Sequence, residues 1–107
     1  MKTVLNKEIT TSADKVEYID LNYSAKALYV PEQLLIQVEG TCKVTASGKV
    51  SDSLETKPLM MVNMATLEGV SEASAGIYIL PVSGLTGVEL SISGVTGTAK
   101  VIVKGLL

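Results

Sequence analysis

Few side chains in this sequence could do chemistry, and their spacing narrows the field further. Ser12-Ala13-Asp14-Lys15 has the Ser-x-x-Lys spacing of serine acyl enzymes, where a lysine one helical turn on takes the serine proton. Here it stands in a turn signal ahead of an alternating segment, and the partner motifs Ser-Asp-Asn and Lys-Thr-Gly are absent. A solvated turn is the expected reading. The acids are spread singly. Glu17/Asp20 and Asp52/Glu55 lie three apart, which on a strand sets the two carboxylates on opposite faces instead of the paired arrangement glycosidases use. Asp52, Ser53 and Glu55 offer oxygens to calcium but too few carboxylates for a cage. Cys42 is the single cysteine, so no internal disulfide can form, and a small apolar residue in a strand core is expected there. Histidine is absent, which removes the His-based triad, the imidazole ligand and the one side chain that ordinarily titrates near neutrality. No enzyme activity, catalytic residue, metal site or cofactor is expected.

Binding is the remaining chemistry. Tyr18, Tyr23 and Tyr29 fall within twelve residues and offer an interface anchor or a sugar platform; Tyr78 is the fourth aromatic. The plainer alternative is packing at the rim of the core with hydroxyls in water. All nine basic residues are scattered lysines and the net charge is −2, so nucleic acid is not an expected partner. The longest uncharged run, Ala73 to Val88, is interrupted by Gly76, Pro81, Gly84 and Gly87 and falls short of the roughly 20 residues of a spanning helix. No membrane crossing is expected, and the N-terminus lacks a signal-peptide stretch, so synthesis in the cytoplasm is the default. Asn22-Tyr23-Ser24 fits the glycosylation pattern but has no secretory route to use it.

The elements that must position these residues are strands. Leu34, Ile36 and Val38 alternate with Leu35, Gln37 and Glu39, and beyond Gly40 the alternation resumes with Cys42, Val44 and Ala46. This is two adjacent antiparallel strands or one long strand bent at Gly40. Val88, Leu90 and Ile92, then Ala99, Val101 and Val103, repeat the pattern, each with one apolar and one mixed face. Ser83-Gly84-Leu85-Thr86-Gly87 and Ser93-Gly94-Val95-Thr96-Gly97 are near-copies, and both read as places where the chain reverses. Asp52 to Glu68 competes for helix through Met60, Met64 and Leu67, but alternation favours a strand from about Leu59 to Ala65 with a turn over Thr66–Gly69. Lys15 to Leu21 and Ala27 to Val30 read as further strands. The expected fold is all-β: a single antiparallel β-sandwich over residues 1–107, jelly-roll-like, with seven to nine short strands and residues 1–14 as an extended arm. A mean hydropathy of +0.38 with 19% charged residues is apolar for a small monomer and points to a homo-oligomer.

The order Leu59–Thr66, Ala75–Ser93 and Gly97–Lys104 resembles small virion β-sandwich proteins of tailed bacteriophages: an Asn-x-Ala-Thr turn, a Gly-Ile-Tyr strand, a Ser-Gly-Leu turn, an alternating strand and a Gly-Thr-x-x-Val end strand. Gly40–Ser47 looks like the strand that precedes this block. The chain departs from those proteins in lacking a Trp and in carrying Glu89 where they often have Arg. The resemblance implies a non-enzymatic structural role in a virion, as a capsid decoration or cement protein, head fibre or tail component. It also implies self-association, with a trimer favoured, and other virion proteins as partners. A carbohydrate- or receptor-binding module is the alternative.

Overall fold

A computed structural model of the chain describes residues 2–21 and 30–107. Thirteen valines and ten threonines dictate its character, since β-branched side chains fit a pleated surface and lose rotamer freedom in a helix. Among the described residues eight strands form: β1 (Thr3–Thr11), β2 (Lys15–Asp20), β3 (Gln33–Lys49), β4 (Lys57–Leu59), β5 (Met61–Asn63), β6 (Gly69–Val70), β7 (Gly76–Pro81) and β8 (Gly87–Leu106). All pairings are antiparallel in one sheet ordered β1-β8-β3-β7-β5-β6, with β2 added to β8 and β4 to β3.

The long strands β3 and β8 run antiparallel to each other and are shared by two half-sheets. In one half, residues 33–39 of β3 and 99–106 of β8 are flanked by β7 and β1. In the other, residues 43–49 of β3 and 87–93 of β8 are flanked by β4 and β2. The sheet bends where the halves meet, and both turn their apolar rows into one core. Leu34, Ile36 and Val38 bury with Val101 and Val103; Cys42, Val44 and Ala46 bury with Val88, Leu90 and Ile92. The result is sandwich-like, made by one sheet doubling over.

The bend has a countable cause. Lys43 pairs with Ser93 and Glu39 with Lys100, so four residues of β3 span seven of β8, and β8 carries three extra residues between them. An odd number changes which residues face inward, and the buried set of β8 indeed switches from even positions (88, 90, 92) to odd ones (99, 101, 103). Gly94 (φ 62°) and Gly97 (φ 70°) supply the left-handed backbone of this bulge. Across from it, Gly40 has φ 93°, and a Cβ there would stand 2.7 Å from the Thr98 carbonyl oxygen.

Of the two readings of residues 34–46 the second holds, and several other expectations are corrected. Residues 34–38 and 42–46 belong to one strand bent at Gly40. Residues 93–97 do not reverse the chain but bulge it, because β3 lies alongside to carry the strand through; the near-copy at 83–87 does lead the chain from β7 back into β8. Residues 3–11, read as part of an arm, form edge strand β1, whose Ile9 enters the core. The 57–63 segment is extended, with a break at Met60. The expected strand Ala27–Val30 lies mostly outside the described residues. Lys2 and Leu107 close the sheet beside β1, each donating its N–H to the other's carbonyl (3.1 and 2.9 Å).

Candidate functional site

Of the three candidate interface tyrosines, Tyr18 is described, while Tyr23 and Tyr29 lie outside the described residues. Tyr18 sits on β2 with 41% of its surface exposed. Its hydroxyl lies over Gly87, where any Cβ would overlap it, and Lys49 Nζ stands 5.3 Å from the ring centroid. Tyr78 is buried and donates its hydroxyl to the Ser74 carbonyl (3.0 Å), a core residue and not a platform.

Beside Tyr18 and Lys49 is an open groove of about 530 Å³ whose walls include Val50, Leu54, Lys57, Leu59 and Leu85. It is formed by the 48–59 connection, whose turn is fixed by Leu54 N–H donating to the Ser51 carbonyl (3.0 Å). The groove is largely apolar, with Lys49, Lys57, Ser53 and Glu55 as its polar lining.

The remaining chemical candidates have local duties. Ser12 lies in the β1–β2 turn, where Thr11 Oγ1 donates to the Ala13 carbonyl (2.7 Å), and Lys15 reaches Glu17 (3.6 Å). Lys7 reaches the same carboxylate at 2.8 Å, and that hydrogen bond holds the Glu17 pKa below the usual carboxylate range. Lys7 and Glu17 share the inward registers of Ile9 and Ile19, so the pair bridges the two half-sheets at their β1/β2 edges. Cys42 is a free, buried thiol whose pKa burial raises. Among the described residues no three acidic or thiol groups converge as a metal ion would need.

What spacing alone did not single out is a difference between the two outward faces. The smaller half shows Thr45, Ser47, Glu89 and Ser91 outward, with exposed Val16 and Tyr18 beside them on β2. The larger half shows one register row of Val62, Ile79 and Leu35 that ends at Lys104, and a neighbouring row of Met64, Ile77, Gln37 and Ile102. Ile77 is 44% exposed and Met64 44%. At the β5–β6 end stand Met60 (60% exposed), lying over Gly69, and Leu67 (76%). The signal was present in the mixed faces, where Leu35 and Ile102 occupy positions that should be polar, and in the Met60-Met64-Leu67 spacing that imitated a helix stripe.

The fold and this surface define a small all-β protein whose distinguishing features lie on its outside. No protein-family model matches the sequence, and no curated protein sequence matches it. Among solved structures, the chain is similar to the SPBc2 prophage-derived protein YomS, with a TM-score of 0.67 and 14% identity over 98% of this chain and 99% of that one. It is also similar to the PBSX exported protein XepA, with a TM-score of 0.68 and 19% identity over 98% of this chain. It spans 39% of XepA, so it corresponds to one part of that longer protein. At these identities the likeness is one of fold.

Proposed function

We propose that this chain is a non-enzymatic structural component of a phage virion, most specifically a capsid decoration, cement or head-fibre protein. It works by self-association and by binding other virion proteins. The observation that carries this reading is that 98% of its length matches the fold of 99% of a prophage-derived protein. The virion-like order of turns and strands in the sequence supports it independently. So do the exposed apolar side chains on the larger half's outward face, since a protein that acts by assembly needs a surface to spend on contacts. In the strain that carries the gene, induced particles banded on a density gradient should retain the chain through a high-salt wash, as detected by antibody. Recovery only from the soluble fraction overturns the reading.

The groove beside Lys49 favours a second reading, a carbohydrate- or receptor-binding module, because polar and charged side chains rim an apolar trough and one of them, Lys49, lies over the Tyr18 ring. A broad glycan panel would then shift amide signals between Gly48 and Leu59; signals that stay still across the panel remove it.

A further inference from the structure

Leu67 departs from what a monomer needs in two ways. Its φ of 60° makes it the one non-glycine in the left-handed region among the described residues, at a place where glycine or asparagine would sit without strain. It is also 76% exposed, so the strained residue gains almost no burial in return. The turn holds it there firmly. Leu67 N–H donates to the Asn63 carbonyl (2.7 Å), Asn63 N–H to the Glu68 carbonyl (2.9 Å), and Ala65 N–H to Asn63 Oδ1 (2.8 Å). Strain maintained by the surrounding structure marks a position where function outweighs local stability.

We propose that the outward face of the larger half-sheet, with Leu67 as its projecting tip, is the contact between two copies of this chain about a two-fold axis. This rests on the self-association reading above and names its surface. A tip and an apolar stripe on a single face are self-complementary, because each copy's tip can cover the other's stripe. The sheet order gives the alignment. An axis running along the strands over β7 sets β3 over the second copy's β5 and β8 over its β6, bringing Leu35 to Val62 and Ile102 to Leu67. The exposed parts of Met60, Met64, Leu67 and Ile77 come to roughly 400 Å², already a functional size for a patch. The half-buried Leu35, Val62, Ile79 and Ile102 extend it toward the ~800 Å² per partner of a standard interface.

The test is light scattering over a concentration series of the full chain and its variants, with melting followed below the dissociation concentration. The wild type should reach twice 11.2 kDa. Leu67→Asn should weaken pairing by roughly 10–100-fold while leaving the monomer's melting temperature unchanged or raising it by about 2–5 °C. A residue kept for the fold would lower it. A wild type that assembles, whether as a dimer or a trimer, with mass unmoved by Leu67→Asn, overturns this surface and leaves self-association standing. A wild type that stays at 11.2 kDa at millimolar concentration overturns both.

Discussion

Gly40 shows how tightly one residue can be specified. Its φ of 93° and the Thr98 carbonyl 2.7 Å from any added Cβ penalise substitution twice, through strain and through a backbone overlap that no rotamer relieves. Gly40→Ala should therefore cost about 3 kcal/mol, read as a lower midpoint in urea at unchanged slope. The sequence marks Gly40 as a break between alternating runs, but its reason, the approach of a bulge from a strand more than fifty residues away, is tertiary. Glu17 was legible only as an isolated acid. Its role depends on Lys7 of β1 arriving on the same side of the core. Since its folded pKa is lowered, its contribution is present above the ordinary carboxylate range and is lost as pH falls through the depressed value. Glu17→Gln should remove about 0.5–1 kcal/mol at pH 7 and flatten that part of the acid limb, measured by denaturant titrations from pH 7 down to 2. Cys42, expected in a strand core, is buried there. Its raised pKa has the opposite sign: stability is full below the ordinary thiol range and declines as pH climbs through it. The difference between wild type and Cys42→Ala should show that slope, and a thiol reagent should react with the native protein only as fast as the core opens.

At the scale of elements, alternation was the most legible signal and the bulge the least. A period of two announces a strand wherever one face is buried, so β3, β7 and both limbs of β8 could be read directly. Ser93–Gly97 could not, because it uses nearly the same residues as the 83–87 turn. Whether such a pentapeptide reverses the chain or bulges it depends on whether a neighbouring strand runs past, and here β3 does. The three extra residues make a parity prediction. Deleting Val95 alone should turn Val101 and Val103 to solvent and Lys100 and Ile102 inward, leaving the chain unfolded by circular dichroism. Deleting Val95 and Thr96 together keeps the inward set and should yield a folded, weakened protein. Equal damage from the two deletions would mean that the bulge does not set the parity. The tip at Leu67 escaped sequence reading for a related reason: Met60, Met64 and Leu67 have helical spacing, and only the β5–β6 turn shows that they share a surface without being a helix.

For the whole molecule, sharing β3 and β8 between the halves has an energetic consequence. Neither half has a complete set of strands without them, so unfolding should be a single transition, with calorimetric and van't Hoff enthalpies in agreement; two resolved heat peaks would show that the halves are separable. Folding should be slow for the size, in milliseconds to seconds, because most pairings join distant parts of the chain. At this scale the all-β class and the apolar surplus were readable from composition, whereas the location of that surplus was not, since it depends on which strands lie side by side. The pairing of Lys2 with Leu107 bears on how such a module is used. A chain that enters and leaves its fold at one point can be spliced into a surface loop of a larger host without prying that loop apart, or cut elsewhere and rejoined end to end with little strain. Joining residues 2 and 107 through a short linker and opening the chain at Gly84 should therefore give a permuted protein that still folds, making this sheet a cassette that evolution or an engineer can move between hosts.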